Sequence, residues 1–210
     1  PNAAIAEFSI PASSPNIIES KSFKYYLNSF NQTKIDQSEL ANTLERDLSK
    51  AAGSKVTLKI TALNDYQHPP QMLEGFCCVD ELELLTPAYS PDKVLLTASP
   101  LSEYQTVNYC SHLLKSNCPV TGQPDWASVW VSAQSTTLSA EDFLAYIVSY
   151  RNHQDFHENC VEQMYCDIQA ACKPKSLWVY ARYTRRGGLD INPFRSSKDM
   201  PAPFLKAARQ

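Results

Sequence analysis

Glycine is scarce in this chain of 210 residues, and its five occurrences, Gly53, Gly75, Gly122, Gly187 and Gly188, never give three with G-x-G-x-x-G or P-loop spacing. A standard Rossmann or Walker phosphate site is therefore excluded. Long apolar runs are also missing. The longest, around Phe143 to Val148, is interrupted by Tyr146 and ends at Ser149, far short of the roughly 20 residues a bilayer helix needs. No excess of positive charge exists to attract nucleic acid: the formal net charge is -3, although a local basic patch is not excluded. The N-terminus shows no basic-then-apolar export signal. With an odd count of seven cysteines, two of them adjacent at Cys77 and Cys78, this indicates a cytoplasmic, reduced protein with free thiols. What is present, 43% hydrophobic and 20% charged residues, describes an ordinary globular chain of one large domain or two small ones.

The pattern of elements suggests two units. Ala3 to Ile10 reads as a strand and Lys21 to Phe30 as a helix. A second helix is capped by Asp36 with Glu39 three residues later, carries Leu40, Leu44 and Leu48 on one stripe, and stops at Gly53. Strict alternation from Lys55 to Thr61 marks a strand with one buried face. A linker rich in Pro and Asp, His68 to Asp92, leads to a second unit. Strands are expected over Tyr104 to Leu114 and Trp126 to Ala133, and a helix opened by Ser139 and Asp142 follows. A further helix over Asp155 to Cys172 sets His157, Val161, Met164, Ile168 and Ala171 on one stripe, and Leu177 to Tyr183 is a strong strand. The expectation is two copies of one strand-strand-helix-helix-strand-strand module, over residues 1–85 and 86–210, with the first strand of the first copy missing.

Chemistry-bearing residues gather in four places. The loop Ser116 to Trp126 contains Cys118 and Asp125, with Pro119, Gly122 and Pro124 to fix the backbone between them. A nucleophile and a proton carrier need such placement, and a small buried thiol with a turn carboxylate would look the same. Moving a proton from an ordinary thiol to an ordinary carboxylate costs roughly 6 kcal/mol. Burial of Asp125 is expected to raise its pKa and narrow that gap. In Phe156 to Cys160, His157 faces the helix stripe and Glu158 is free to aim elsewhere. Its carboxylate is fit either to complement the helix dipole or to accept two hydrogen bonds from a guanine-type edge. Arg185, Arg186, Gly187 and Gly188 follow a strand, where guanidinium groups and open backbone converge on phosphate or make a solvated turn. Glu19 to Tyr26 places Ser20 and Lys21 at a helix entry, which favours anions or is simply a capped start. Cys110, Cys118, His112, His157 and Cys160 could ligate a soft metal only if assembled in space, since no pair has metal-site spacing. Cys160, Cys166 and Cys172 are taken as packing.

Glu19-Ser20-Lys21-Ser22-Phe23-Lys24-Tyr25-Tyr26 resembles the signature E-[SL]-K-[SA]-h-K-[LY]-[YFW], with h hydrophobic, of the NADPH-dependent 7-cyano-7-deazaguanine reductases of queuosine biosynthesis, at all eight positions. The Cys118 to Asp125 loop, the His157-Glu158 pair and the Arg185 to Gly188 stretch resemble the same family in its two-module form. The resemblance implies an α+β fold of tandem tunnelling-fold (T-fold) modules, antiparallel sheets with paired helices on one face. It implies reduction of a nitrile to a primary amine at the cost of two NADPH, through a covalent thioimidate on Cys118 with Asp125 as proton donor. It also implies substrate contacts from Ile18, Glu19, Ser20, His157 and Glu158. Contacts to NADPH would come from Ser20, Lys21, Arg185, Arg186 and Gly187. A homodimer, no metal in the chemistry, no direct nucleic-acid contact and no membrane complete the expectation. The two-module enzymes carry a longer N-terminal region, so a chain opening at Pro1 is expected to be a trimmed form with an exposed sheet edge. A zinc-dependent purine or pterin hydrolase of the same fold and a catalytically silent purine-binding module are the alternatives.

Overall fold

The computed structural model describes residues 3–84, 88–97, 103–135 and 137–210, in two compact units, Pro1–His68 and Pro69–Gln210. The expected boundary at 85/86 lies outside the described residues. The compact units divide earlier because Cys77 and Cys78 hydrogen-bond into the second sheet.

In the first unit, β1 (Ala4–Ser9) pairs antiparallel with β2 (Thr57–Ala62), and α1 (Ser20–Asn28) and α2 (Gln37–Ala52) lie between them in sequence. Asp36 caps α2 by accepting from Ser38 N at 2.8 Å, and Gly53 ends it at φ 69°. A side chain at Gly53 is excluded twice over, because its Cβ would lie 2.7 Å from Pro15 Cγ and the left-handed backbone favours glycine. Leu44, Leu48, Ala52 and Val56 are buried, and Phe8 meets Phe23 edge to face at 5.0 Å.

The second unit is a five-stranded sheet in the order β3 (Cys77–Cys78), β4 (Gln105–Asn117), β5 (Pro124–Ser135), β6 (Leu177–Tyr183), β7 (Phe194–Ser196). β4 to β7 are antiparallel, as expected for this α+β class. β3 runs parallel to β4, and it lies within the segment expected to be a linker. Two residues are too few to show an alternating pattern, which is why β3 left no mark in the sequence. α3 (Ala140–Ser149), capped by Ser139 Oγ on Asp142 N at 3.1 Å, and α4 (His157–Cys172) cover one face. Ala127, Val129, Val131 and Ala133 of β5 pack there with Phe143, Ile147, Val161, Met164 and Ile168. Each large side chain so buried is worth roughly 1.5–3 kcal/mol of transfer free energy. The stripe of α4 differs from expectation. Cys160 and Cys172 are buried as packing, whereas Ala171 is only partly covered and Cys166 is exposed, because a spacing of six turns the middle thiol outward. The opposite sheet face carries Cys110, Trp130 and Tyr180 under Leu205 and Ala207 of the C-terminal segment.

Candidate active site

β4 and β5 are joined by a tight hairpin. Cys118 N donates to Gln123 O and Gly122 N donates to Cys118 O, both at 2.9 Å, so the loop containing Cys118 is closed by its own backbone. Gly122 takes φ 69°. Asp125, opposite Ser116 in the register, lies in alternation with Ala127 and Val129 and so faces α4.

The segment before α4 is strapped to the end of β4. Asn117 N donates to His153 O at 2.8 Å, Asp155 N donates to Asn117 O at 3.1 Å, and Gln154 Nε2 donates to Cys118 O at 3.2 Å. These bonds set the start of α4 beside Asp125. His157 Nε2 lies 3.2 Å from Asp125 Oδ2, and its ring stacks on Tyr183 at 3.8 Å with planes 4° apart. Its Nδ1 is buried with no hydrogen-bond partner. His157 lies on the sheet-facing stripe of α4 as the spacing predicts, and there its ring reaches the Asp125 carboxylate.

Arg186 completes the group. After β6, Arg186 and Leu189 bond to each other through backbone N–H and C=O groups, a tight turn that contains Gly187 and Gly188, both at positive φ. Arg186 Nη1 donates to Asp125 Oδ1 at 2.6 Å and Nη2 donates to Gln123, whose backbone C=O accepts from Cys118 N. The partnership of Arg186 with Asp125 was not legible in the sequence, since 61 residues separate them. Arg185 takes a different direction and lies 3.8 Å from Asp190.

Electrostatics follow from these contacts. Asp125 is only 2% exposed, and burial alone would raise its pKa as expected from the sequence. Hydrogen bonds and charge from His157 and Arg186 overcome that and hold the carboxyl below the usual carboxylate range. The expectation of a raised value is thereby corrected. Cys118 follows the same logic: burial pushes its thiol up, but bonds from the Thr121 side chain, the Thr121 and Val120 backbone and Arg186 bring it below the ordinary thiol value. Glu158 goes the other way. Burial raises it against the pull of its own backbone N–H, His157 and Arg195.

Cys118, Asp125 and His157 of the expected site thus come together with Arg186, and Glu158 follows His157 at the entry to α4. Ile18, Glu19, Ser20 and Lys21 belong to the first unit. There Glu19 is the N-cap of α1, accepting from Lys21 N and Ser22 N at 2.8 Å each. Among the described residues, the group of three side chains that could hold a metal is Cys78, Cys110 and His112. It shares Cys110 and His112 with the spatial cluster considered from sequence, but not Cys118, His157 or Cys160.

Comparison with known proteins places the chain in a family. Residues 1–60 match a family model described as nitrile reductase, 7-cyano-7-deazaguanine-reductase N-term, and residues 124–202 match one described as QueF-like protein. The chain is 49% identical over 211 residues to the NADPH-dependent 7-cyano-7-deazaguanine reductase of Saccharophagus degradans, covering 100% of this chain and 77% of that one. It is 49% identical over 214 residues to the reductase of that name from Paraburkholderia phytofirmans, covering 100% and 77%. For the one from Chromohalobacter salexigens the identity is 48% over 212 residues, with 100% and 76% covered. With identity at this level along its whole length, the chain belongs to the family of NADPH-dependent 7-cyano-7-deazaguanine reductases.

Proposed function

We propose that this chain reduces the nitrile of 7-cyano-7-deazaguanine to the aminomethyl group with NADPH, with Cys118 as nucleophile and Asp125 as proton carrier. The observation that carries the reading is the convergence of Cys118, Asp125, His157 and Arg186 at one sheet end. The activity is that of the relatives named above, and it belongs to the biosynthesis of queuosine.

The lowered thiol of Cys118 favours attack on the electrophilic nitrile carbon. A bond forms between Cys118 Sγ and that carbon, one π bond of the nitrile opens, and the thiol proton passes through Asp125 to the nitrogen, giving a thioimidate. An ionised Asp125 suits acceptance first and donation afterwards, so one carboxyl serves as base and then acid. Arg186 and His157 hold its two oxygens in place, which is the positioning a proton relay needs. Glu158, raised by burial, gains most from a partner that donates hydrogen bonds, such as the N1–H and 2-amino edge of the base. Ile18, Glu19 and Ser20 would add contacts to the same substrate.

NADPH supplies hydride, two equivalents for the four-electron change. The residues fit an anionic cofactor: Arg185 is 43% exposed and only loosely tied to Asp190, Gly187 and Gly188 open the backbone of the turn at positive φ, and a Cβ at Gly188 would meet nothing within 4 Å. Arg185, Arg186 and Gly187 would hold it together with Ser20 and Lys21. Arg186 is already engaged by Asp125, so its contact with NADPH would be shared with that role. Two T-fold modules, residues 1–85 and 86–210, a homodimer, a cytoplasmic location and no direct nucleic-acid contact complete the proposal. No helix among the described residues is long and apolar enough to cross a membrane.

Intact mass after mixing with 7-cyano-7-deazaguanine alone tests it. The parent chain should gain the whole substrate mass and lose it on adding NADPH, while Cys118→Ala gains nothing. An unreactive parent that still binds the base would favour a silent binding module.

A further inference from the structure

The sheet face turned away from α3 and α4 carries a cluster that the reaction does not use. β3 lies parallel to β4 with Cys78 directly opposite Cys110, so both side chains leave the same face. His112, two residues on, returns to that face and meets Trp130, the register partner of Cys110. One ligand atom from each of Cys78, Cys110 and His112 lies within 4.8 Å of the other two.

We propose that Cys78, Cys110 and His112 form a binding site for a thiophilic cation of the Zn2+ class, which fastens β3 to β4. A tetrahedral zinc with S at about 2.3 Å and N at about 2.0 Å separates its ligand atoms by roughly 3.5–3.8 Å. The three atoms need to close by only about an ångström, within the reach of side-chain rotation. His112 Nδ1 is 2.7 Å from Ser128 Oγ. Donation from Nδ1–H to that oxygen leaves the lone pair on Nε2, the arrangement in which a second hydrogen bond orients a ligating imidazole. The Asp80 carboxylate stands behind the ligands, accepting from Ser111 Oγ at 2.7 Å and from His112 N at 3.0 Å. Arg209 Nη2, donating to His112 O and Ala127 O at 2.8 and 2.9 Å, is the facing cation. Two thiolates and Asp80 outweigh it. On binding, two thiol protons leave to solvent and two metal–sulfur bonds form.

The burial pattern suits such a site. Cys110 is buried, His112 partly covered and Cys78 exposed, which gives a protected wall, an entry and room for water as fourth ligand. The purpose is structural. β3 holds β4 by two register pairs at the sheet edge, and a metal staple would add what so short a strand lacks. Along β4, His112 stands six residues from Cys118, roughly 20 Å in an extended strand, so the metal takes no part in nitrile reduction.

The test is titration of the reduced, metal-free full chain with Zn2+ by calorimetry, and with Co2+ for its sulfur-to-metal absorption. One equivalent should bind, and Zn2+ should raise the thermal midpoint. Cys78→Ser, whose exposed position spares the core, should weaken binding by more than about 100-fold and abolish the Co2+ band. Cys118→Ser should keep both, and near-ultraviolet dichroism checks that each variant is folded. Absence of uptake by the folded parent would overturn the proposal. So would uptake that survives Cys78→Ser but is lost in Cys118→Ser, or a Cys78–Cys110 disulfide that persists under thiol reductant and excludes the metal.

Discussion

Cys110 within β4 and Cys118 just beyond its end show how position along one stretch of chain decides what a thiol can do. Cys110 lies within the sheet, where burial and the neighbouring Cys78 push its pKa up to about 12. Cys118 lies just past the strand end, in a hairpin whose Thr121 and Val120 N–H groups and facing Arg186 stabilise the thiolate against burial. The first has sulfur and imidazole for neighbours, the second has donors and a carboxylate. The same side chain is thus suited to a soft cation at one place and to covalent attack at the other.

The largest break in this contrast is Cys118→Ala. Turnover followed by NADPH absorbance should fall by on the order of 10⁴-fold or more, as for other nucleophile deletions, whereas Cys78→Ser should leave the covalent adduct seen by mass intact. Asp125→Asn comes next, with kcat lowered by about 10²–10⁴-fold, the usual range for a lost general acid–base, while substrate binding by calorimetry persists. Arg186→Gln should raise the Cys118 thiol, so that alkylation of Cys118 at neutral pH slows roughly tenfold for each unit of rise. Peptide mapping of that reaction in the parent should label Cys118 ahead of Cys110.

The smallest effect is on stability in acid. The pKa of Asp125 is depressed in the folded chain, so its charge stabilises the fold above the ordinary carboxylate value of about 3.9 and that contribution is lost as pH falls through the folded value. Thermal melts of the parent and Asp125→Asn should therefore differ most near neutrality and converge in acid.

Much of this was legible beforehand because the signals were local. The Asp36 cap, the Gly53 stop and the Leu44 and Leu48 stripe are rules acting within a few residues, and they hold in α2. The Cys118 to Asp125 hairpin was marked by its own Pro and Gly residues. β3 and β7 (Phe194–Ser196) leave no mark in the sequence since two or three residues carry no period. The sign of the Asp125 shift is not legible for a different reason: burial is inferable from one strand, but the charges that overcome it arrive from α4 and from the turn after β6.

Sequence alone determined the eight-residue signature and the local caps, stripes and turns, because each depends on residue type and near spacing; the fold class and the roles proposed for Cys118 and Asp125 came from the family resemblance that the signature carries. Tertiary structure decided which groups surround them. Strand pairing set Cys78 against Cys110 and His112, and chain strapping through Asn117 and His153 carried His157 to Asp125. Both results depend on register between segments tens of residues apart, and side-chain period within one segment says nothing of that.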